Sequence, residues 1–299
     1  MKKLTPIILS LLLLAIAGCA TVAKMGTQVA QGTGAITEEQ GESLNRATDA
    51  LALTFEDITP EQEYYIGRAV AATILQDHPP LDDSRANAYL NRIGQTVAMV
   101  SDRPETFGGY HFLLLDSDEI NAFAAPGGFI LVTRGLVACC RDEDELAAVL
   151  AHEIGHVQNK DGLRAIKKSR LTGALTTLAV EAGRSLGSED IKELTEQFAG
   201  GIDDITQTLV NSGYARSLEH QADASAVTVL DRIGYDPHAL VGMLEEMDRR
   251  WDPKGHGFER THPSPKDRLG KVRGTVPAGA AGAAPAKRAA RFADAVGGL

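Results

Sequence analysis

The sequence is poor in cysteine and in aromatic residues. Only three of its 299 residues are cysteine, and aromatic side chains make up 5% of the chain. Cys139 and Cys140 are adjacent in an apolar stretch, and neighbouring cysteines rarely satisfy disulfide geometry. A disulfide-stabilised scaffold is therefore excluded. We expect both thiols to be packing residues, with a vicinal or intermolecular disulfide as the alternative.

The chain also lacks a basic patch and, beyond its N-terminal region, an apolar run that could span a membrane. Its formal net charge is −10, which argues against a nucleic-acid partner. The internal apolar stretch from Leu171 to Val180 ends at Glu181 and is too short for a transmembrane helix. Hydrophobic residues nevertheless account for 43% of the chain, enough for a substantial globular core.

The N-terminal region has the composition of an export signal. A charged start precedes an apolar run from Ile7 to Ile16, and small residues lead to Cys19. This ending resembles the lipobox of bacterial lipoproteins, in which cleavage precedes a lipidated cysteine. We therefore predict a signal peptide over 1–18 and a lipid-anchored tether over 19–57, attached to the membrane through Cys19. Ala20 favours the outer membrane, facing the periplasm. A plain secretion signal with an incidental cysteine is the alternative.

One domain is predicted over residues 58–275. An Ala/Gly/Pro-rich tail follows over 276–299, which we expect to be flexible, with a short helix from Lys287 to Val296 as the alternative. Hydrophobic periodicity, capping residues and turn signals predict the elements of the domain. These are helices over about 59–76, 83–100, 142–157, 212–233 and 236–251, and strands over 110–115, 121–125 and 129–133. Residues 162–210 are helical in composition, and part of them is interpreted as a lid.

The short strand and the turn after it are candidates for contact with a polypeptide. An exposed sheet edge can accept an extended peptide as an additional strand, through main-chain hydrogen bonds. The candidate residues are Asn121, Ala122, Phe123, Gly127 and Gly128. A structural hairpin that binds nothing is the alternative.

The helix after these strands carries the sequence His152-Glu153-Ile154-Gly155-His156, which reads H-E-x-x-H. Two imidazoles four residues apart lie one turn apart on the same face of a helix and can hold one Zn²⁺ together. Glu153 lies within reach of a water molecule at that ion and can act as a general base. The pattern indicates a zinc-dependent peptidase. The apolar stripe of this helix is predicted to be Leu146, Leu150, Ile154 and Val157, with the two histidines flanking it.

A catalytic zinc ion needs a third protein ligand, and spacing alone leaves its identity open. A third histidine in the H-E-x-x-H-x-x-G-x-x-H pattern is excluded, because Gly162 occupies that position. Carboxylates on later helices are the remaining candidates. These are Glu181, Glu189, Glu193, Glu196 and Glu219. Glu219 differs from the others because Asp223 follows at i+4 and can accept a hydrogen bond from a ligand imidazole.

Three motifs in order resemble the zinc peptidases that include the CAAX prenyl proteases, the HtpX-type heat-shock peptidases and periplasmic quality-control peptidases. They are the helix ending in H-E-x-x-H, the segment Glu219-His220-Gln221-Ala222-Asp223, and Thr261-His262-Pro263-Ser264. The resemblance covers roughly residues 57–275. It implies an α+β, mostly helical, gluzincin-type fold with a small β-sheet packed beside the motif helix.

The resemblance also implies the site. Glu219 would be the third ligand of one Zn²⁺ per chain, with Asp223 supporting a ligand imidazole. His262 would enter the site, either to stabilise the transition state or to occupy the open zinc position in a latent form. The expected function is a lipid-anchored zinc metalloendopeptidase of the bacterial cell envelope, whose substrates are misfolded or misassembled envelope proteins. The alternative is a zinc-containing chaperone or scaffold with an occluded site. No nucleic-acid partner is expected, and the oligomeric state is left open.

Overall fold

The computed structural model describes residues 20–38, 41–42, 45, 58–167, 207, 209, 213–250, 261–279, 282 and 284–299. The chain divides into two units, one of Met1–Ile58 with Arg164–Asp204 and one of Thr59–Leu163 with Ile205–Leu299. In the first unit, helix α1 (Ala20–Gly32) occupies part of the predicted tether. The signal peptide, Cys19, most of the predicted lid and four of the candidate glutamates lie outside the described residues.

The second unit contains the elements that surround the candidate site. In chain order they are α2 (Pro60–Asp77), α3 (Ser84–Ala98), β1 (His111–Leu115), β2 (Ala122–Ala125), β3 (Phe129–Thr133), α4 (Arg134–Val137), α5 (Glu143–Gln158), α6 (Arg216–Ile233), α7 (His238–Arg249), α8 (Pro265–Val272) and α9 (Ala286–Val296). The predicted α+β class, mostly helical with one small sheet, is confirmed. No helix of the described residues combines the length and the apolar character needed to cross a membrane.

Local capping explains where the first helices of this unit begin. Thr59 accepts a hydrogen bond from the Gln62 amide, the Gln62 side chain accepts one from the Thr59 amide, and Pro60 occupies the first helical position. Asp83 likewise accepts from the Ala86 amide at 2.9 Å. Both caps satisfy amides that have no partner inside the helix. The helix starts predicted near residues 59 and 83 are confirmed.

The sheet has three strands in the order β1-β3-β2. Strand β1 pairs with β3 in parallel, with His111 opposite Phe129, and β2 pairs with β3 in antiparallel register, with Ala122 opposite Val132. Strand β2 is therefore an edge strand of this sheet. Among the described residues no further strand pairs with the other side of β2, and all four residues of β2 are buried.

A tight turn, Pro126–Gly128, joins β2 to β3. Gly127 has φ 74° and Gly128 has φ 98°, and both angles favour glycine. A side chain on Gly127 would also approach Tyr64 Cα to 2.8 Å. Buried Glu63 accepts a hydrogen bond from the Gly127 amide at 3.1 Å. Gly127 and Gly128 therefore shape the end of the edge strand and are not part of the strand itself.

Helix α5 is the centre of the second unit. Asp142 caps it by accepting from the Glu145 amide at 3.0 Å. Every residue from Glu143 to Val157 is buried. The predicted apolar stripe is therefore only one part of the buried surface, because α3, α6, α7 and the sheet all pack around this helix. Cys139 and Cys140, just before it, are buried free thiols, which confirms their packing role.

The second half of the tail is a helix, as the alternative from Lys287 to Val296 predicted, and the expectation of a flexible tail is wrong there. Residues Ala286–Val296 form α9, and Phe292, Ala295 and Val296 are buried in the main core. Arg291 pairs with the buried Glu143 at the start of α5. The i, i+3, i+4 spacing of the three apolar residues defines one face of a helix. Burial of this face stabilises the helix, although the composition before it is typical of a loop.

Phe292→Ala provides a test of this packing. Because the ring is buried, we expect the substitution to lower the free energy of unfolding by about 3 kcal/mol. Urea denaturation followed by circular dichroism measures this change, and the exposed Lys287→Ala on the same helix is the control. Equal stability of the two variants would show that α9 does not pack on the core.

Helix α8 was not predicted, although its signals are present. Ser264 caps α8 by accepting from the Asp267 amide, and Pro265 occupies the first helical position. This helix places Arg268 next to the motif helix.

Candidate active site

Four buried side chains converge on one point between α5, α6 and the segment before α8. The Nε2 atoms of His152 and His156 lie 3.2 Å apart. Glu219 reaches them from α6, with Oε2 3.5 Å from His152 Nε2 and Oε1 3.4 Å from His156 Nε2. His262 Nδ1 lies 2.8 Å from Glu219 Oε2. One ligand atom from each of the four lies within 4.8 Å of the others.

The approach of α6 to α5 depends on small residues at the crossing. A Cβ atom added to Gly155 would lie 3.0 Å from Ala222 Cα. Glycine within H-E-x-x-H thus lets the two backbones come close enough for Glu219 to reach the imidazoles. Of the glutamates that the sequence left open, Glu219 is the one that the structure describes, and it lies in the cluster.

Two carboxylates contact the Nδ1 atoms of His152 and His156, which face away from the common centre. Asp223 Oδ1 lies 3.1 Å from His152 Nδ1, and Asp161 Oδ2 lies 2.8 Å from His156 Nδ1. An imidazole that donates from Nδ1 keeps its Nε2 lone pair available, so both rings are oriented toward the common centre. Sequence reasoning missed Asp161. Lys160, with φ 57°, turns the chain back and brings Asp161 to His156.

Arg268 of α8 is a second group that sequence reasoning missed. Its side chain is buried, its Nε donates to Asp223 Oδ2 at 3.0 Å, and its Nη2 also contacts the Asp223 carboxylate. Burial would raise the pKa of Asp223, but Arg268 and His152 outweigh it and hold the pKa well below its usual range. Arg268 thus keeps Asp223 ionised and in place beside His152.

The charges in the cluster favour a bound cation. Burial alone would lower the pKa of His156, but Glu219 and Asp161 outweigh it and raise the pKa to about 10. The same negative field attracts a metal ion. Glu219 Oε1 is buried and has no hydrogen bond among the described residues. Burial lowers the pKa of His262, which keeps that imidazole neutral near pH 7. Two or three imidazoles and a carboxylate therefore fit a divalent metal ion.

A small cavity of about 10 Å³ lies beside Glu153. It is bounded by β2, Tyr214 and His262. This volume holds about one water molecule. Glu153 is therefore next to a space of the size of a reacting water.

Thr261 and His262 line this cavity, and specific contacts hold their segment in place. Thr261 Oγ1 donates to Asn121 Oδ1 at 3.1 Å. Gly213 adopts φ 65°, and a Cβ atom there would lie 2.0 Å from the Thr261 carbonyl oxygen. Asn121, a candidate for substrate contact, therefore holds the Thr261 segment in this conformation. Ala122 and Phe123, the other two strand candidates, lie in β2 and line the cavity.

The Asp161 contact predicts the effect of a conservative substitution. Asp161→Asn keeps the shape but weakens the acceptor for His156 Nδ1, so we expect metal affinity to fall by about 10–100-fold. Competition with a chromogenic chelator measures that affinity, and the exposed Asp82→Asn is the matched control. An unchanged affinity in Asp161→Asn would mean that Asp161 does not support a metal ligand.

An H-E-x-x-H helix whose histidines meet a glutamate from a later helix, beside an edge strand, is the arrangement of a metallopeptidase. The sequence model of Peptidase family M48 matches residues 84–276, which is more than half of the chain. The chain therefore belongs to this family. It is therefore a metallopeptidase, and the resemblance drawn from its motifs is confirmed.

Curated relatives are similar to the same region. The beta-barrel assembly-enhancing protease of Escherichia coli (strain K12) is 29% identical over 219 residues, covering 71% of this chain and 43% of the relative. The mitochondrial metalloendopeptidase OMA1 of Schizosaccharomyces pombe is 28% identical over 195 residues, covering 63% and 52%. A protease HtpX homolog of Salinibacter ruber is 31% identical over 140 residues, covering 46% and 49%. The chain thus spans about half or less of the length of these relatives.

Proposed function

We propose that this chain is a zinc-dependent endopeptidase of the bacterial cell envelope, held at a membrane by a lipid on Cys19, that cleaves misfolded or misassembled envelope proteins. The observation that carries the proposal is the convergence of His152, His156 and Glu219 beside Glu153 and the edge strand β2. Paired imidazoles with one carboxylate are typical of catalytic zinc sites.

Each residue of the cluster has a role in this proposal. His152, His156 and Glu219 would hold the ion through Nε2, Nε2 and a carboxylate oxygen, and Asp223 and Asp161 would fix the two rings. A zinc ion bound there would supply Lewis-acid activation of water and of the scissile carbonyl. The Glu153 carboxylate accepts a proton from the attacking water and delivers it to the leaving amine, as general acid–base catalysis requires.

The edge strand supplies a binding mode that does not depend on a particular side chain. A polypeptide that adds to β2 forms main-chain hydrogen bonds with Ala122–Ala125, and its carbonyl groups then pass Glu153. Such binding requires an extended and therefore locally unfolded substrate. Endopeptidase action on misfolded proteins follows from this requirement.

The position of His262 supports a second, latent state of the same site, in which a substrate does not enter. His262 contacts Glu219 and, with Thr261, covers the space that a substrate would enter. In the latent state His262 would occupy the open metal position, and after release of the segment it could donate to the developing oxyanion. The alternative function, a zinc-containing chaperone or scaffold, corresponds to a site that never leaves the latent state.

Cleavage of an unfolded protein under metal control tests the proposed activity. We expect purified protein to cleave casein, 1,10-phenanthroline to stop cleavage, and added Zn²⁺ to restore it. The scaffold alternative holds instead if zinc-loaded protein never cleaves unfolded substrates and Glu153→Gln fully complements a deletion strain.

The envelope location has separate support and a separate test. Cys19 ends a lipobox-like sequence, and one relative carries the name beta-barrel assembly-enhancing protease. We propose accordingly that the substrates include β-barrel proteins that fail to assemble. Cys19→Ser is expected to abolish labelling by radioactive palmitate and to shift the protein from the membrane to the soluble fraction. Unchanged labelling would contradict lipidation at Cys19.

A further inference from the structure

Tyr214 carries a buried hydroxyl that has no hydrogen-bond partner among the described residues. Other buried tyrosines of the second unit have one. Tyr110 donates to the Arg103 carbonyl and Tyr89 donates to the Glu143 carboxylate, both at 2.8 Å. An unpaired polar group in a protein interior is unfavourable and uncommon. The catalytic roles proposed above do not use Tyr214, so its hydroxyl calls for a separate explanation.

Packing fixes the ring of Tyr214 next to the metal site. The centroids of the Tyr214 and His156 rings lie 4.5 Å apart, with an angle of 32° between the ring planes. A Cβ atom added to Gly162 would lie 3.4 Å from the Tyr214 hydroxyl oxygen and 2.9 Å from Cγ of Pro126. The hydroxyl therefore lies near the start of the turn that follows β2.

Tyr214 also borders the space in which a scissile bond would lie. It lines the cavity beside Glu153, together with Ala122–Ala124 of β2. Because its hydroxyl lies near Pro126, the side chain extends from the cavity toward the end of β2. A polypeptide that binds beside Glu153 and follows β2 therefore passes this side chain.

The segment bearing His262 lies against the backbone just before Tyr214. A Cβ atom added to Gly213 would lie 2.0 Å from the Thr261 carbonyl oxygen, and Thr261 and His262 line the same cavity as Tyr214. In the proposed active state this segment is released, and its contact with Gly213 is lost. The release that gives a polypeptide access to Glu153 therefore gives it access to Tyr214 as well.

We propose that Tyr214 is a substrate-binding residue, whose hydroxyl donates a hydrogen bond to a main-chain carbonyl of the polypeptide within a few residues of the scissile bond. This inference rests on the proposed function and adds a specific contact with the substrate. Burial and the charges of Asp161 and Glu153 raise the pKa of Tyr214, so the hydroxyl keeps its proton and remains a donor. A contact with a main-chain carbonyl requires no particular side chain, which suits unfolded substrates of varied sequence.

Tyr214→Phe removes the hydroxyl and keeps the ring. We expect the KM for a quenched fluorescent peptide, chosen from the casein products of the wild-type protein, to rise about tenfold. The kcat should stay unchanged, because the contact binds the ground state and the transition state alike. Zinc affinity, measured by chelator competition, should also be unchanged. The urea midpoint should equal or exceed that of the wild-type protein, because the hydroxyl stabilises nothing in the free protein.

Tyr110→Phe is the matched control, because it removes a buried hydroxyl that has a partner away from the site. It should lower the urea midpoint and leave KM unchanged. An unchanged KM in Tyr214→Phe would overturn the inference. A fall in its urea midpoint as large as that of Tyr110→Phe would do the same, because the hydroxyl would then have its partner in the free protein.

A second experiment identifies the acceptor on the substrate. In a series of peptides, one main-chain carbonyl at a time is replaced by a thiocarbonyl, a weaker acceptor, within three residues of the scissile bond. Fluorescence anisotropy measures their binding to Glu153→Gln and to Glu153→Gln/Tyr214→Phe. We expect one replacement to weaken binding to the first protein and not to the second. Equal effects on both proteins at every position would contradict a contact with a main-chain carbonyl.

Anisotropy with fluorescein-labelled casein separates this inference from the proposed function. If the wild-type protein cleaves nothing but Glu153→Gln binds casein about tenfold more tightly than Glu153→Gln/Tyr214→Phe, the contact is supported and the proposed activity fails. If casein is cleaved by the wild-type protein and both Glu153→Gln proteins bind it equally, the proposed activity stands and the inference is overturned.

Discussion

Glu153→Gln is expected to abolish proteolysis and to leave the metal content unchanged. The substitution keeps the size of the side chain but removes the carboxylate that accepts and returns a proton. General acid–base groups contribute about 10²–10⁴-fold to a rate, so we expect kcat on casein to fall by about 10³-fold. Glu153 does not belong to the group of side chains that offers ligand atoms to one point, so the metal ligands remain in place. Initial cleavage rates and metal analysis of the same preparation measure both effects.

The control for this experiment is Glu61→Gln, at an exposed glutamate in the first turn of α2, which should leave the cleavage rate unchanged. Preparations of all variants must come from a strain without other casein-cleaving proteases. A cleavage rate for Glu153→Gln equal to that of the wild-type protein would contradict the role of Glu153 as the base. Loss of the metal together with activity would instead place Glu153 among the ligands.

Glu219→Ala is expected to remove both the metal ion and the activity. Glu219 is the carboxylate that faces His152, His156 and His262. Its removal leaves two imidazoles on one helix without the ligand from α6. We expect the metal affinity to fall by more than the roughly 100-fold typical of losing a supporting carboxylate. Chelator competition measures this affinity, and casein cleavage measures the activity.

Asp223→Asn provides the matched comparison, because Asp223 lies one turn further along the same helix and contacts His152 without facing the common centre. Asp223→Asn should lower the metal affinity by a smaller factor than Glu219→Ala does, and it should retain part of the activity. The reverse order of the two variants would mean that Glu219 is not the third ligand. Circular dichroism must show that both variants fold.

Local sequence patterns predicted the parts of the site that depend on one element. The spacing of His152 and His156 is sufficient to place them on one face of a helix, and Asp142 marks where that helix begins. The β-rich segment before it predicted a sheet, and the edge position of β2 follows from the strand order. These features depend on neighbouring residues, so the sequence shows them directly.

The remaining parts of the site depend on tertiary packing. Asp161 reaches His156 only because Lys160 turns the chain, and Arg268 reaches Asp223 only because α8 packs beside α6. Neither contact has a spacing that predicts it. The position of the segment bearing His262 depends on Thr261 meeting Asn121, which lies 140 residues away in the sequence.

Composition was misleading where a short helix follows a loop-like stretch. The Ala/Gly/Pro content after residue 276 predicted a flexible tail, but the apolar face of α9 buries Phe292 and its neighbours. Burial of α5 on all sides was missed for a related reason. A helix surrounded by other elements shows little periodicity, because nearly every position faces the interior.

The most direct test of the central claim is the position of the metal ion in a crystal of the purified protein. An anomalous difference map at the zinc edge should show one peak about 2.0–2.2 Å from His152 Nε2, His156 Nε2 and a carboxylate oxygen of Glu219. A further contact to His262 would identify the latent state, and a water molecule in that position would identify the open one. Absence of the peak from zinc-loaded crystals, or a peak whose ligands do not include Glu219, would contradict the account.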